Sequence, residues 1–540
     1  MSVPDYLKSL EESLKNLMPP NTEVVAPVVA ATVVAAPVAP VAPVAPVAPV
    51  APVAPVAPVV AAPVATPVAS VASVASVATP VASVATPVAP VVNPTVSLNV
   101  TNGSISTDSL VSKGLFGTTP GGNAVTQKKF RFMLVGTHCH QFTGYSKVTY
   151  GIVRQLAKLP WLQVTHFGFQ KIPQIPPNYR PYPPNIDVID AAAIEKPFHQ
   201  GFGFAQLCDA IRRKKPDVVM IYNDMTVVTK FVEEIRKSGL ANTFKLWLYV
   251  DQVYNTQLQM YLDVINRDAE RVFVFSKFWK KCLKDQGINR PIDIIRHGFD
   301  KDMFSPVKKE EARKMLNLPQ DIFLFMDMNR NQPRKRYDLL IMAFVELLVK
   351  YPTKPLFLMC VCDKGEKGGW WLFEIFAREL KLRGVPVDMF GNRLMLTSQD
   401  MAFRDEDINM LYNVADVGVN SAEGEGWGLC NFEQAGVGVP QVVPNVGGFK
   451  DFCTSDNSIL IEPKYRYYLP MAYSSVGGEA TAMDSHDLCL GMEKYVNDSA
   501  LLEKHGKAAR ETVLTYTWES CTEDLIKRLG EAKKEKEEEA

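Results

Sequence analysis

The chain has 540 residues, with 58 Lys+Arg against 58 Asp+Glu and no formal net charge. That length exceeds one ordinary core and points to two or three units. The even charge gives no global electrostatic case for nucleic acid or an anionic membrane as partner. Nine scattered cysteines, an odd number without framework spacing, and a start that lacks a basic stretch followed by an apolar one point to free thiols and a cytoplasmic setting.

Residues 1–18 carry a short amphipathic helix pattern, with Leu7, Leu10, Leu14 and Leu17 at helical spacing. Such a segment is too short to be stable alone. It serves either as a docking or self-association peptide through residues 4–18 or as a frayed end, and the pattern does not choose between these. Residues 19–128 form a low-complexity Ala/Val/Pro spacer in which APV repeats at period three, with no charged residue between Glu23 and Asp108. A transmembrane span is excluded there, because a proline at every third position removes helix hydrogen bonds. The same period suits an extended polyproline II rod, loosened where serine and threonine replace proline. The spacer is therefore expected to be disordered or polyproline II.

From Lys129 the pattern changes. FRFMLVG (130–136) is a short apolar run ending in glycine, followed by the loop THCHQFTGYS and the helical pattern KVTYGIVRQLAKL. LQVTHFGF, PDVVMIYND, KLWLYVD, RVFVFS and PIDIIRHG read as further strands. FAQLCDAIRRK, VVTKFVEEIRKS and FWKKCLKDQG read as helices between them. Strands too uniformly apolar for one-faced burial, alternating with helices, predict a parallel sheet covered on both sides. The proline-dense KIPQIPPNYRPYPPN is a long loop expected to face a substrate.

The alternation restarts after Phe304. IFLFMDMN, PLFLMCVC, PVDMF, ADVGVNS, PQVVP and SILIE read as strands, with helices over 335–351 and around WWLFEIFARELKLRG. The expected organisation is an N-terminal doubly wound α/β domain over 129–304 and a second over 305–530 that includes closing helices. A solvated charged tail over 531–540 would follow. Two such domains facing one another make a cleft at their strand C-termini. Trp370 and Trp371 are expected in the core.

The residues that carry chemistry cluster at that cleft. In SAEGEGWGLCNFEQAGVGVPQVVPNVGG (421–448), glycines surround Glu425, and Glu433 lies one to two turns into a helix starting near Gly428. A helix start prefers an anion, and the carboxylates can accept from hydroxyls, a combination that suits a nucleotide sugar. Upstream, Arg330 and Lys335 follow a strand and put positive charge where a leaving diphosphate needs fixed donors. His138, Cys139 and His140 lack the further ligands a metal site requires, and are expected to be loop residues near an acceptor. Asp405 and Asp407 precede a helix and are expected to cap it.

Together these motifs resemble the GT-B glycosyltransferases, specifically the retaining family 4 or glycosyltransferase group 1 type. PIDIIRHGFDKDMF is similar to that family's interdomain turn, and NRNQPRKRYDLLIMAF to its G-R-x-x-x-x-K-G element. The stretch from LYNVADVGVNS to NVGG is similar to its E-G-F-G-L-x-x-x-E signature. The resemblance covers about residues 130–530. It implies two facing Rossmann-like domains and transfer of a hexose or related sugar, with retention, from a UDP- or GDP-linked donor to the hydroxyl of a glycan or glycoconjugate. Arg330 and Lys335 would hold the diphosphate, Glu425 the transferred sugar and Glu433 the ribose. Gly144, Gly391, Gly426, Gly428 and Leu429 would complete the donor site. No cofactor or divalent metal would be required. Asn329, Arg336 and His297 depart from the pattern. Asp251 stands where many relatives place a histidine beside the reacting sugar. That departure keeps a scaffold without turnover as an alternative, and a sugar-nucleotide epimerase or hydrolase of the same fold is another. The Ala-Val-Pro repeats also resemble proteins of large DNA viruses, which would place the chain in a host cytoplasm.

Overall fold

The computed structural model describes residues 129–198, 200–362, 369–397, 403–470 and 476–539, which belong to one compact unit. The expectations for residues 1–128, the leading helix and the spacer, lie outside the described residues.

The first half is a seven-stranded sheet. Its strands are β1 (Phe130–Thr137), β2 (Leu162–Phe169), β3 (Ile186–Asp190), β4 (Val218–Asp224), β5 (Lys245–Asp251), β6 (Arg271–Val274) and β7 (Ile292–Ile294). They lie in the order β3-β2-β1-β4-β5-β6-β7, and every pairing is parallel. The apolar runs explain this: Phe132 to Val135 and Val218 to Tyr222 are buried on both faces, as parallel strands sandwiched between helix layers must be.

The second half repeats the plan with β8 (Phe323–Met328), β9 (Leu356–Val361), β10 (Leu394–Leu396), β11 (Val417–Val419), β12 (Gln441–Pro444) and β13 (Ser458–Ile461). Their order is β10-β9-β8-β11-β12-β13, again all parallel. In both sheets the winding reverses beside the first strand, between β1 and β4 and between β8 and β11. Loops leaving such a reversal diverge and open a crevice at the strand C-termini.

Local signals set the helices that frame this crevice. In α1 (Gly144–Leu156), the Thr143 side chain accepts from Ser146 N while the Ser146 hydroxyl accepts from Thr143 N, so the helix starts directly after the β1 loop. The second half contributes α2 (Tyr337–Lys350), α3 (Asp405–Val414) and α4 (Leu429–Gly436). A hairpin of β14 (Tyr465–Tyr468) and β15 (Glu479–Ala482) stands apart from both sheets.

Three expectations need correcting. PVDMF is not a strand: Val387–Phe390 forms one helical turn after Pro386, and the edge strand is Leu394–Leu396. Proline has no N–H for a ladder, and Met389 in that run is exposed. Trp371 is 60% exposed because the helix begins only at Leu372, and Trp370 is half-buried, its indole N–H donating to Pro333 O at 3.2 Å. The charged segment from 531 is no separate tail. It continues α5 (Trp518–Glu539), which crosses onto the first half. There Arg528 grips Asp293 through two bonds of 3.0 Å, Lys536 pairs with Asp217 and Glu535 with Lys245. Asp293 of β7, Asp217 just before β4 and Lys245 of β5 are thus the partners of this charged helix.

Candidate functional site

The crevice between the halves has a volume of about 1030 Å³, at the upper end of small-molecule sites. Its walls come from the loops that follow β1, β4, β5, β8 and β11. The structure brings Gly144, Asp251, Arg330, Lys335, Glu425, Gly426, Gly428 and Leu429 to this one space.

Lys335 is its most constrained charge. It sits in the turn after β8, buried, with its ammonium donating to Asn329 Oδ1 at 2.6 Å and ion-paired with Glu425. Arg334 lies beside it, 3.7 Å from Glu425, and its guanidinium also donates to Gly424 O at 3.0 Å. Burial pushes the Glu425 carboxyl up, but Lys335 and Arg334 pull harder and hold it below the usual carboxylate range. Arg330, by contrast, is exposed within the crevice, and its charge reaches Asp224 at the end of β4.

The next residue, Arg336, stands where the family pattern has glycine, and its φ of 50° shows why glycine suits that place. The strained conformation is held by two hydrogen bonds from its guanidinium to Asp338 (3.0 and 2.8 Å). The Ser421 hydroxyl also donates to its carbonyl at 2.9 Å.

Opposite Glu425 lies Asp251 at the end of β5. Tyr145 donates to its Oδ2 at 2.6 Å, while Oδ1 faces Gly426, where a Cβ would overlap it. This close approach is what glycine at 426 provides. Burial pushes the Asp251 carboxyl up to about 6, against the pull of the Tyr145 hydrogen bond. The turn around Glu425 is held from both sides. Trp279 of the first half donates to Gly426 O at 2.7 Å, and Gly448 N donates to Glu425 O at 3.0 Å. Gly428, at φ 85°, then turns the chain into α4, whose first N–H groups carry no side-chain cap.

Glu433 is placed differently from expectation. It is buried on α4, accepts from Tyr412 at 2.8 Å and is paired across the halves with Lys147 of α1 at 2.7 and 2.9 Å. Lys147 lines the crevice and also a small cavity behind it, and Glu433 lines that cavity and not the crevice. Burial raises the Glu433 carboxyl despite both partners. Gly144 brings α1 close: a Cβ there would lie 3.3 Å from Leu429 Cδ2. Gly391 opens a single turn before β10 and is not a lining residue. Cys362 and Thr397, past β9 and β10, line the crevice on that side.

Other candidates resolve into structural roles. His138 and His140 pack with His166 and Tyr182 below the crevice lining, and burial pushes His138 down to about 4. They are not residues of the crevice wall. Asp407 does cap α3, accepting from Arg404 N at 3.1 Å. Asp405 instead takes a bidentate hold from Arg180 at 2.8 and 2.7 Å. That anchors the proline-rich loop of the first half on the second. Among the described residues no group of three or more His, Cys, Asp or Glu is arranged to hold a metal ion. All nine cysteines are free thiols, and no described helix is long and apolar enough to cross a membrane.

Sequence reasoning missed Arg334, Tyr145, Lys147 and Tyr412. Arg334 was visible only as one of four cations in NRNQPRKR. Tyr145 and Lys147 lie within three residues of Gly144, and their partners lie over a hundred residues away.

No family profile matches the chain. Among curated relatives it is 27% identical over 159 residues to a D-inositol 3-phosphate glycosyltransferase of Streptosporangium roseum, which covers 29% of this chain and 35% of that protein. It is 24% identical over 253 residues to the protein of that name from Corynebacterium diphtheriae, covering 45% and 51%. The chain thus spans about a third to a half of the length of these relatives. Among solved structures it is similar to a sucrose-phosphate synthase from Thermosynechococcus elongatus (TM-score 0.55, 18% identity, 75% of this chain and 100% of that one). It is also similar to Alr3699/HepE of Anabaena in complex with UDP-glucose (TM-score 0.56, 14% identity, 74% and 99%). The fold is therefore GT-B, two facing Rossmann-like domains with the crevice between them.

Proposed function

We propose that the chain is a retaining glycosyltransferase of the family 4 type. It would move a hexose or related sugar from a UDP- or GDP-linked donor to a hydroxyl of a glycan or glycoconjugate. One observation carries this reading: Arg330, Arg334 and Lys335 line the same crevice as Asp251 and Glu425, each delivered by a strand C-terminus. Cations there can meet the charge that develops on a departing diphosphate, which is the main electrostatic demand of the reaction. They can do so without a divalent ion, so none is assigned.

In this reading Arg330, without an ion pair among the described residues, takes the outer phosphate. Lys335 and Arg334 turn from Glu425 to the inner one, and the released Glu425 accepts from the hydroxyls of the transferred sugar. The uncapped start of α4 adds N–H donors to the phosphates. The departing phosphate oxygen takes the acceptor hydroxyl's proton on the same face, so no enzyme nucleophile is needed. Glu433 reaches the ribose only when Lys147 yields. The relatives' name and the UDP-glucose held by Alr3699/HepE support UDP-glucose and a phosphorylated polyol as the first donor and acceptor to try. The free cysteines agree with a cytoplasmic setting.

A second reading, a nucleotide-binding scaffold without turnover, is favoured by one observation: Asp251 replaces the family's histidine and is engaged by Tyr145. Calorimetric titration with UDP, GDP and ADP, with and without Mg²⁺, tests the donor site. Metal-independent binding of one nucleotide, lost in Lys335→Ala, is the expected result. Binding of none, or binding indifferent to Lys335, would remove the donor-site assignment. Binding without sugar release from any donor would leave the scaffold.

A further inference from the structure

The hairpin β14–β15 belongs by chain order to the second half, yet it also hydrogen-bonds to the first. Asn255 N donates to Glu479 O at 3.2 Å and Leu258 N to Val476 O at 3.3 Å. Glu479 N donates to Thr256 Oγ1 at 2.8 Å. Gly477 and Gly478, both in the left-handed region, let the backbone come this close, since a Cβ on Gly478 would overlap the Thr256 carbonyl. These partners all lie in residues 252–258, the loop that follows Asp251.

Side chains reinforce the backbone pairing. Tyr254, Leu469 and Ala480 form a small apolar core of their own, separate from those of the two sheets, with Val253, Tyr467 and Val476 packed against it. Beneath it the Tyr254 hydroxyl, at 3.3 Å, and the Tyr467 hydroxyl both donate to Glu423, which is 2% exposed. Glu423 belongs to the loop after β11, two residues before Glu425. A loop of the first half, a hairpin of the second and the turn bearing Glu425 are thus tied at one buried carboxylate. Removing a donor from such a carboxylate leaves part of it unsatisfied, which costs more than the bond itself contributes.

We propose that this hairpin is a strap that holds the Asp251 loop on the second half before any ligand arrives, so that one edge of the crevice is closed in the free protein. Any opening then takes place away from this strap, at other contacts that join the halves, such as Lys147–Glu433 and Arg180–Asp405. The strap rests on contacts alone and goes beyond the donor-site reading.

Hydrogen exchange on the full chain tests it, read at the amides of residues 252–258 with and without saturating UDP. In the wild type these amides are expected to be protected without UDP and to gain less than twofold from it. Tyr467→Phe, which keeps the ring and removes the hydroxyl, should speed their exchange at least tenfold. Tyr465→Phe should not, because that hydroxyl bonds Asp484 outside the core. Protection that develops only with UDP, or exchange in Tyr467→Phe within twofold of wild type, would overturn the strap. If Tyr465→Phe loosens the loop equally, the hairpin acts only through its general stability and the assigned latch is wrong. A protein that binds none of UDP, GDP and ADP but shows the expected exchange pattern without nucleotide would sink the donor-site reading and leave the strap standing.

Discussion

Lys335 and Glu425, ninety positions apart, neutralise one another at the floor of the crevice, both nearly removed from water. Either charge alone in that place would be costly, and breaking a buried pair by deleting one partner typically destabilises by about 3–5 kcal/mol. Lys335→Ala is therefore expected to lower stability in urea unfolding as well as to abolish nucleotide binding. If transfer is measurable, the loss should be of order 10²–10³, the scale for removing a preorganised charge donor. Adding Glu425→Gln to Lys335→Met should restore much of the stability and none of the binding. A double variant as unstable as the single one would show that the pair contributes more than mutual neutralisation.

Asp251 gives a pH-dependent prediction. Its carboxyl ordinarily titrates near 3.8 and burial raises it to about 6, so the folded protein prefers the protonated form. That contribution to stability is fully present below pH 3.8 and is lost as pH rises to about 6. At pH 8 the ionised carboxylate should cost up to about 3 kcal/mol, since each pH unit separating the folded and unfolded titrations is worth about 1.4 kcal/mol. Asp251→Asn, which can still accept from Tyr145, should melt at the wild-type temperature at pH 4 and several degrees higher at pH 8. Equal melting temperatures at both pH values would contradict the assigned burial of the charge.

Gly426 offers a steric test of the same contact. A methyl group there would overlap Asp251 Oδ1, and the Gly426 backbone is not free to retreat, since Trp279 and Gly448 hold the turn. Gly426→Ala is expected to destabilise by about 1–3 kcal/mol, the usual range for overpacking, and to reduce nucleotide affinity by displacing Glu425. Gly426→Ala combined with Asp251→Ala should recover most of the stability, because the overlapping atom is gone. Denaturant midpoints of the three variants decide this.

Much of the architecture was legible because parallel sheets bury both faces: runs such as FRFMLVG and VVMIYND leave no other reading once helices separate them. The site was legible wherever it depended on residues close in sequence, as in the glycine-flanked Glu425 and the cations after β8. It was not legible where partners come from the opposite half. Nothing near Glu433 announces Lys147, and nothing near Asp251 announces Tyr145, because each partner is brought in by the packing of distant segments. PVDMF misled for a different reason. Its apolar content suits an edge strand, but Pro386 cannot join a ladder and the run coils into a single turn. Arg336 shows the reverse, a departure at a glycine position that local hydrogen bonds to Asp338 make tolerable.

The closing helix supplies the last prediction. Trp518 opens α5 and lays its indole over Gly151 of α1 and Gly298 after β7, two positions where a Cβ would overlap the ring. The two glycines thus form a slot that accepts the tryptophan, and the helix beyond it runs to ion pairs with Asp293 and Asp217. Since α5 is joined by sequence to the second half, Trp518 is the first point at which that helix grips the first half from outside. Trp518→Ala should cost about 3–5 kcal/mol, as for other large buried aromatics. Arg528→Ala, whose pairs are partly exposed, should cost about 1 kcal/mol or less. Hydrogen exchange in Trp518→Ala should show loosening concentrated in α1 and in the segment after β7. Loosening confined to the second half would show that the helix stabilises its own domain and does not clamp the other.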